Sequence, residues 1–68
     1  MKKRFKELHI GDTFKVEYGA YENYTNAVIK DIKPTEYDHI KQVYYTIPHY
    51  TGEQVHTDRM LMNEEVRI

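Results

Sequence analysis

Polar and apolar residues alternate most cleanly over residues 13–18, TFKVEY. Phe14, Val16 and Tyr18 fall on one side, Lys15 and Glu17 on the other, which predicts a half-buried strand. Residues 41–49, KQVYYTIPH, repeat the pattern with Val43, Tyr45 and Ile47 on one face and Gln42, Tyr44 and Thr46 on the other. Pro48 cannot donate to a ladder, so that strand is expected to end there or to lie at an edge. Residues 26–33, NAVIKDIK, place Val28 and Ile32 together with Lys30 between them, and Ala27 with Ile29 opposite. A strand apolar on both sides predicts a bulge or a central position. Residues 53–58, EQVHTD, form a fourth strand with Val55 and Thr57 on one face, and EVRI a fifth with Val66 and Ile68 inward. The intervening RMLM reads as a short 3-10 or helical turn. Near the start, Phe5 and Leu8 are three apart, so residues 3–8 are expected to form a helical turn that lids one end of the sheet.

The breaks between these runs carry turn chemistry. Gly11-Asp12 precedes the first strand, Pro34 and the polar PTEYDH follow the second, and Gly52 supplies a hairpin turn between the third and fourth. Residues 19–25, GAYENYT, do not alternate. Their tyrosines recur every third position, but so short a stretch behind a glycine is too short for a stable helix. A long loop is expected, with Tyr18 in the core and Tyr21 and Tyr24 at its rim.

Four or five short strands in 68 residues predict one all-β domain spanning 1–68, a small barrel of antiparallel strands with a short N-terminal helical turn. The opening ELHIGDTFKV, an apolar-x-apolar-Gly-Asp step feeding a strand, is similar to the first strand of many small barrels. Residues 8–68 as a whole resemble an SH3-like barrel, and an OB-like barrel is the alternative. GAYENY is similar to the Ala-Leu-Tyr-Asp-Tyr segment of eukaryotic SH3 domains, with Ala20-Tyr21 and Tyr24 near the matching places. That resemblance would imply a groove for proline-rich peptides. The spacing differs, however, and the tryptophan those domains use for ligand is absent.

Size and composition narrow the function. A chain this short buries about 60% of its unfolded surface, which leaves no room for an enzyme-sized pocket beside a packed core. There is no cysteine and no serine. Disulfides, thiolate zinc sites and the usual activated nucleophiles are therefore excluded. Four histidines, His9, His39, His49 and His56, lack metal-ligand spacing, although His49 and His56 could face each other across a hairpin. No cofactor and no catalysis are expected. The basic N-terminus lacks the apolar run of a signal peptide, and the longest apolar runs are of two or three residues, so a cytoplasmic location without membrane contact is expected.

Net charge is −1, from ten basic and eleven acidic side chains, whereas nucleic-acid binders carry a basic excess. The one basic cluster, Lys2, Lys3, Arg4 and Lys6, reads as a solvated N-terminus or a phosphate-contacting arm. Seven tyrosines stand out against two phenylalanines. Tyr18 and Tyr45 are assigned to the core and Tyr37 to an exposed loop. Tyr21, Tyr24, Tyr44 and Tyr50 are the candidate binding surface, because a ring with a polar tip suits interfaces.

The expected function is thus a non-catalytic module that binds another protein through tyrosines. Free-standing chains of this kind are frequently encoded by bacteriophages or mobile elements to modulate a host protein. One alternative is single-stranded nucleic-acid binding, with Lys15, Lys30, Lys33 and Lys41 beside the rings. The other is a self-associating, homo-oligomeric structural subunit that pairs through residues 41–47.

Overall fold

The computed structural model describes residues 1–18, 23–49 and 52–68. Within them the protein is all-β, with six strands and a single 3-10 turn. The strands are β1 (Lys2–Arg4), β2 (Thr13–Tyr18), β3 (Asn23–Pro34), β4 (Ile40–His49), β5 (Gly52–Leu61) and β6 (Glu65–Arg67). They make two antiparallel sheets, a four-stranded meander in the order β2-β3-β4-β5 and a two-stranded pair of β1 with β6. Neither sheet closes on itself among the described residues.

The helical turn expected over residues 3–8 is the shorter Phe5–Glu7, because Lys3 and Arg4 belong to β1. Glu7 reaches back to accept the N–H of Arg4 at 3.1 Å. Phe5 and Lys6 donate to the carbonyls of Glu64 and Met62, both at 2.9 Å, which ties the turn to the end of the chain. Phe5 and Leu8 are buried as a result. The basic cluster is therefore no free arm, because Lys2, Lys3 and Arg4 form β1 and pair with Arg67, Val66 and Glu65.

Gly11 turns the chain into β2 with a φ of 96°, in the left-handed region that glycine tolerates. Its N–H donates to Ile29, and Ile29 donates back to Asp12 (2.8 and 3.0 Å), so the turn is clamped to mid-β3. Phe14 and Ala27 then face each other across β2 and β3, both buried.

Mid-β3 carries a bulge. Ile29 pairs with Tyr45 and Asp31 with Tyr44, which leaves Lys30 as the extra residue. The slip changes the faces. Unbroken alternation would put Val28 and Ile32 together, but the added residue turns Ile32 to the side of Ala27 and Ile29, where it packs on the core. That pairing of Val28 with Ile32 is corrected, and the expected bulge is what corrects it.

β4 is central, hydrogen-bonded to β3 and β5. Pro48 lies within it, past the last β3 pair, Val28–Thr46, so among the described residues its paired partner is Glu53 of β5. β5 runs on through Arg59–Leu61, and the expected turn at RMLM is instead strand up to Leu61, with Met60 and Met62 against the core.

The core comprises Phe5, Leu8, Phe14, Ala27, Ile29, Val43 and Ile47. Phe14 meets Phe5 edge-on at 5.8 Å and Tyr45 at 5.5 Å between ring centroids. Such edge-to-face contacts add to burial because the positive rim of one ring meets the negative face of the next. The side chain of Tyr18 lies outside the described set, and so do Tyr21, Tyr50 and most of the 19–25 loop; Tyr24 and Thr25 belong to β3 rather than to a loop.

Candidate surface on the outer face of the sheet

Alternation and cross-strand pairing define the outer face of the meander, opposite the core. Thr13, Val28, Thr46 and Val55 form one row across all four strands. Asp31, Tyr44 and Thr57 form another on β3, β4 and β5. Tyr24 stands on the same face of β3, opposite Glu17. The Gln42 amide donates to the Thr57 hydroxyl across β4 and β5.

This face carries apolar exposure. Val55 is 71% exposed and Tyr24 45%, while Tyr44 and Val28 are half-buried. Each ring is met by a cation. The Arg67 guanidinium carbon lies 4.6 Å from the Tyr24 ring centroid, and Lys33 Nζ lies 5.2 Å from that of Tyr44. Each ring also has a carboxylate residue directly opposite on the neighbouring strand, Glu17 for Tyr24 and Asp31 for Tyr44. Lys33 approaches Asp31 at 3.9 Å.

Of the four candidate tyrosines, Tyr24 and Tyr44 are placed and Tyr21 and Tyr50 lie outside the described residues. The placed pair share a face but do not touch. Between Tyr24 and the Asp31 partner of Tyr44 the strand runs roughly 20 Å, at ~3.3 Å per residue. Tyr37 is exposed on the 35–39 turn, its ring 5.8 Å from the His39 ring. The Thr35 hydroxyl donates to the Ile40 carbonyl at 2.7 Å and accepts the N–H of Tyr37 at 3.2 Å. Arg59 holds the same turn to β5 through two hydrogen bonds to Glu36, at 2.9 and 3.3 Å. Glu36 is held below the usual carboxylate range, first by a backbone hydrogen bond and then by Arg59.

On the inner face, β5 contributes a polar margin that composition alone did not single out. His56 stacks on Tyr45 with ring centroids 5.7 Å apart and planes 12° from parallel. Its Nε2 lies 3.3 Å from the Gln54 amide oxygen. Tyr45 is pushed up from the usual phenol value, by burial first and by the Asp58 charge second. The signal that could have found this margin is the spacing of Gln54, His56 and Asp58, two apart on one strand. His56 pairs with Tyr45 and His49 with Gly52, so the two histidines are not opposite each other.

The four lysines proposed as a cationic groove divide. Lys15 and Lys33 lie on the outer face by alternation, Lys30 is the bulge residue, and Lys41 pairs with Met60 on the inner side. Among the described residues no group of three or more histidines and carboxylates is placed to hold a metal, and no helix is long and apolar enough to cross a membrane. Comparison of the chain with protein-family models, with curated proteins and with solved structures finds no match.

Proposed function

We propose that this chain is a small, non-catalytic binding module with an SH3-like arrangement, which engages a protein partner through the outer face of its four-stranded sheet. The arrangement rests on the meander β2–β5, with the terminal strands β1 and β6 paired and β6 laid against β2. The observation that carries the function is the setting of Tyr24 and Tyr44. Each ring has a cation over it and an acidic residue across from it. An aromatic flanked by both signs of charge suits the mixed polar surface of another protein. It suits a polyphosphate strand poorly, because Glu17 and Asp31 repel phosphate where the bases would stack.

Salt separates the two readings. Partner captured from extract on the immobilised protein is expected to survive both nuclease treatment and a rise in salt. Capture that nuclease abolishes, or that falls steeply with salt, overturns the protein-partner reading in favour of nucleic acid.

A further inference from the structure

The meander has two outer strands. β2 lies against β6, whereas the far edge of β5 has no neighbouring strand among the described residues. Pairing through residues 41–47 is not open, because both edges of β4 are taken there for most of its length. The open edge is β5, a ten-residue strand whose register with β4 is unbroken from Gly52 to Leu61. Natural edges are guarded by proline, bulges, lysine or short length. β5 has neither proline nor lysine, and it is neither bulged nor short. An inward-pointing charge is a further guard, and Asp58 is one.

We infer that β5 is a pairing edge for a second copy of this chain, antiparallel, with His56 at the two-fold axis. The charge pattern of the strand, paired with its own copy, selects this register. To keep both faces of the sheet continuous, paired residues must share a face, so registers differ in steps of two residues. With His56 opposite His56 of the second copy, Glu53 meets Arg59, Gln54 meets Asp58 and Val55 meets Thr57, each twice. Every full charge on the strand then faces an opposite charge or an amide, and Asp58 no longer guards the edge. Sliding by two residues one way sets Glu53 against Leu61 and Arg59 against Val55; sliding the other way sets Glu53 against Thr57 and carries Arg59 past the end of β5. Neither register gives Glu53 or Arg59 a counter-charge. Arg59 can serve both carboxylates, because its two contacts to Glu36 use only part of its five N–H donors. The product is an eight-stranded sheet in which the two Val55 residues lie next to the axis on the outer face. This inference does not depend on the protein-partner reading above.

The test is a charge-swap cycle read by analytical ultracentrifugation over a dilution series, with circular dichroism to confirm folding. The 68-residue chain is expected to show a concentration-dependent monomer–dimer equilibrium. Glu53→Arg sets like charges opposite each other and is expected to give monomer. Arg59→Glu does the same from the other side but also gives up the two hydrogen bonds to Glu36, so its circular dichroism spectrum must match the parent before it is scored. Both positions are exposed. The double variant Glu53→Arg/Arg59→Glu restores the opposition and is expected to restore the dimer. A wild-type protein that stays monomeric at every concentration overturns the inference. So does a dimer indifferent to Glu53→Arg, or a double swap that fails to rescue.

Discussion

The Tyr45 ring lies almost parallel to the His56 imidazole across β4 and β5 while it takes the Phe14 ring edge-on. One tyrosine thus joins the apolar core to the polar margin of the open strand. Its phenol is raised first by burial and second by Asp58. A group whose folded pKa is raised contributes stability that is complete below its unfolded value and is lost as pH climbs through the raised one. Asp58→Asn is expected to lower the Tyr45 phenol value only part of the way, because burial remains. A carbon-detected NMR titration of the tyrosine rings measures it. A full return to the ordinary phenol value would mean that the charge, not burial, governs this ring.

Phe14 is 3% exposed and bridges Phe5 to Tyr45. Phe14→Ala is expected to cost roughly 3–5 kcal/mol. Against a total stability of about 5 kcal/mol for so small a domain, most of the chain would unfold. Urea denaturation followed by far-ultraviolet circular dichroism gives the number, and a loss below about 1 kcal/mol would contradict the assigned packing.

The bulge makes a prediction about deletions. Removing Lys30 leaves Ile29, Asp31 and Ile32 in simple alternation, inward, outward, inward, so the variant should still fold, with a flatter sheet and a lower melting temperature. Removing Val28 makes Ala27 and Ile29 neighbours, and both are fully buried on the same face. That variant is expected to be unfolded. Dispersed amide spectra for both deletions, or for neither, would refute the register.

Glu36 supplies a second pH effect. Its carboxyl is lowered, so the stability it contributes is present above its unfolded value and lost as pH falls through the folded one. The backbone hydrogen bond ranks ahead of Arg59 as the cause. Arg59→Ala should therefore bring the Glu36 carboxyl only partly back toward normal in an NMR titration. Complete recovery would place the whole effect on the guanidinium.

How far the sequence could be read depended on whether the signal was local. Alternation over residues 13–18 gave the bounds of β2, because one face there is core and the other solvent. Phe5 and Leu8 announced a buried turn three residues apart. Alternation also paired Val43, Tyr45 and Ile47 correctly, with Tyr45 half-buried at the rim. The phase change at Lys30 was legible only as a conflict, since which residue bulges depends on what lies across from it. RMLM looked like a turn because its apolar residues are consecutive, yet Met60 faces inward while Leu61 is 48% exposed. Strand order is a non-local property: the low charge of residues 41–47 points to β4 as the pairing edge, whereas the sheet order gives the open edge to β5. Of the candidate surface, composition flagged the tyrosines; the cations over Tyr24 and Tyr44 come from Arg67 and Lys33, and for Tyr24 that is a contact between residues far apart in the chain.

Affinity capture with the variants Tyr24→Ala and Tyr44→Ala tests most directly that the outer face does the binding. Both variants should keep the circular dichroism spectrum of the parent, since neither ring belongs to the buried core. Each is expected to lose most of the protein partner that the parent retains. Folded variants that hold the partner as well as the parent does would contradict the account.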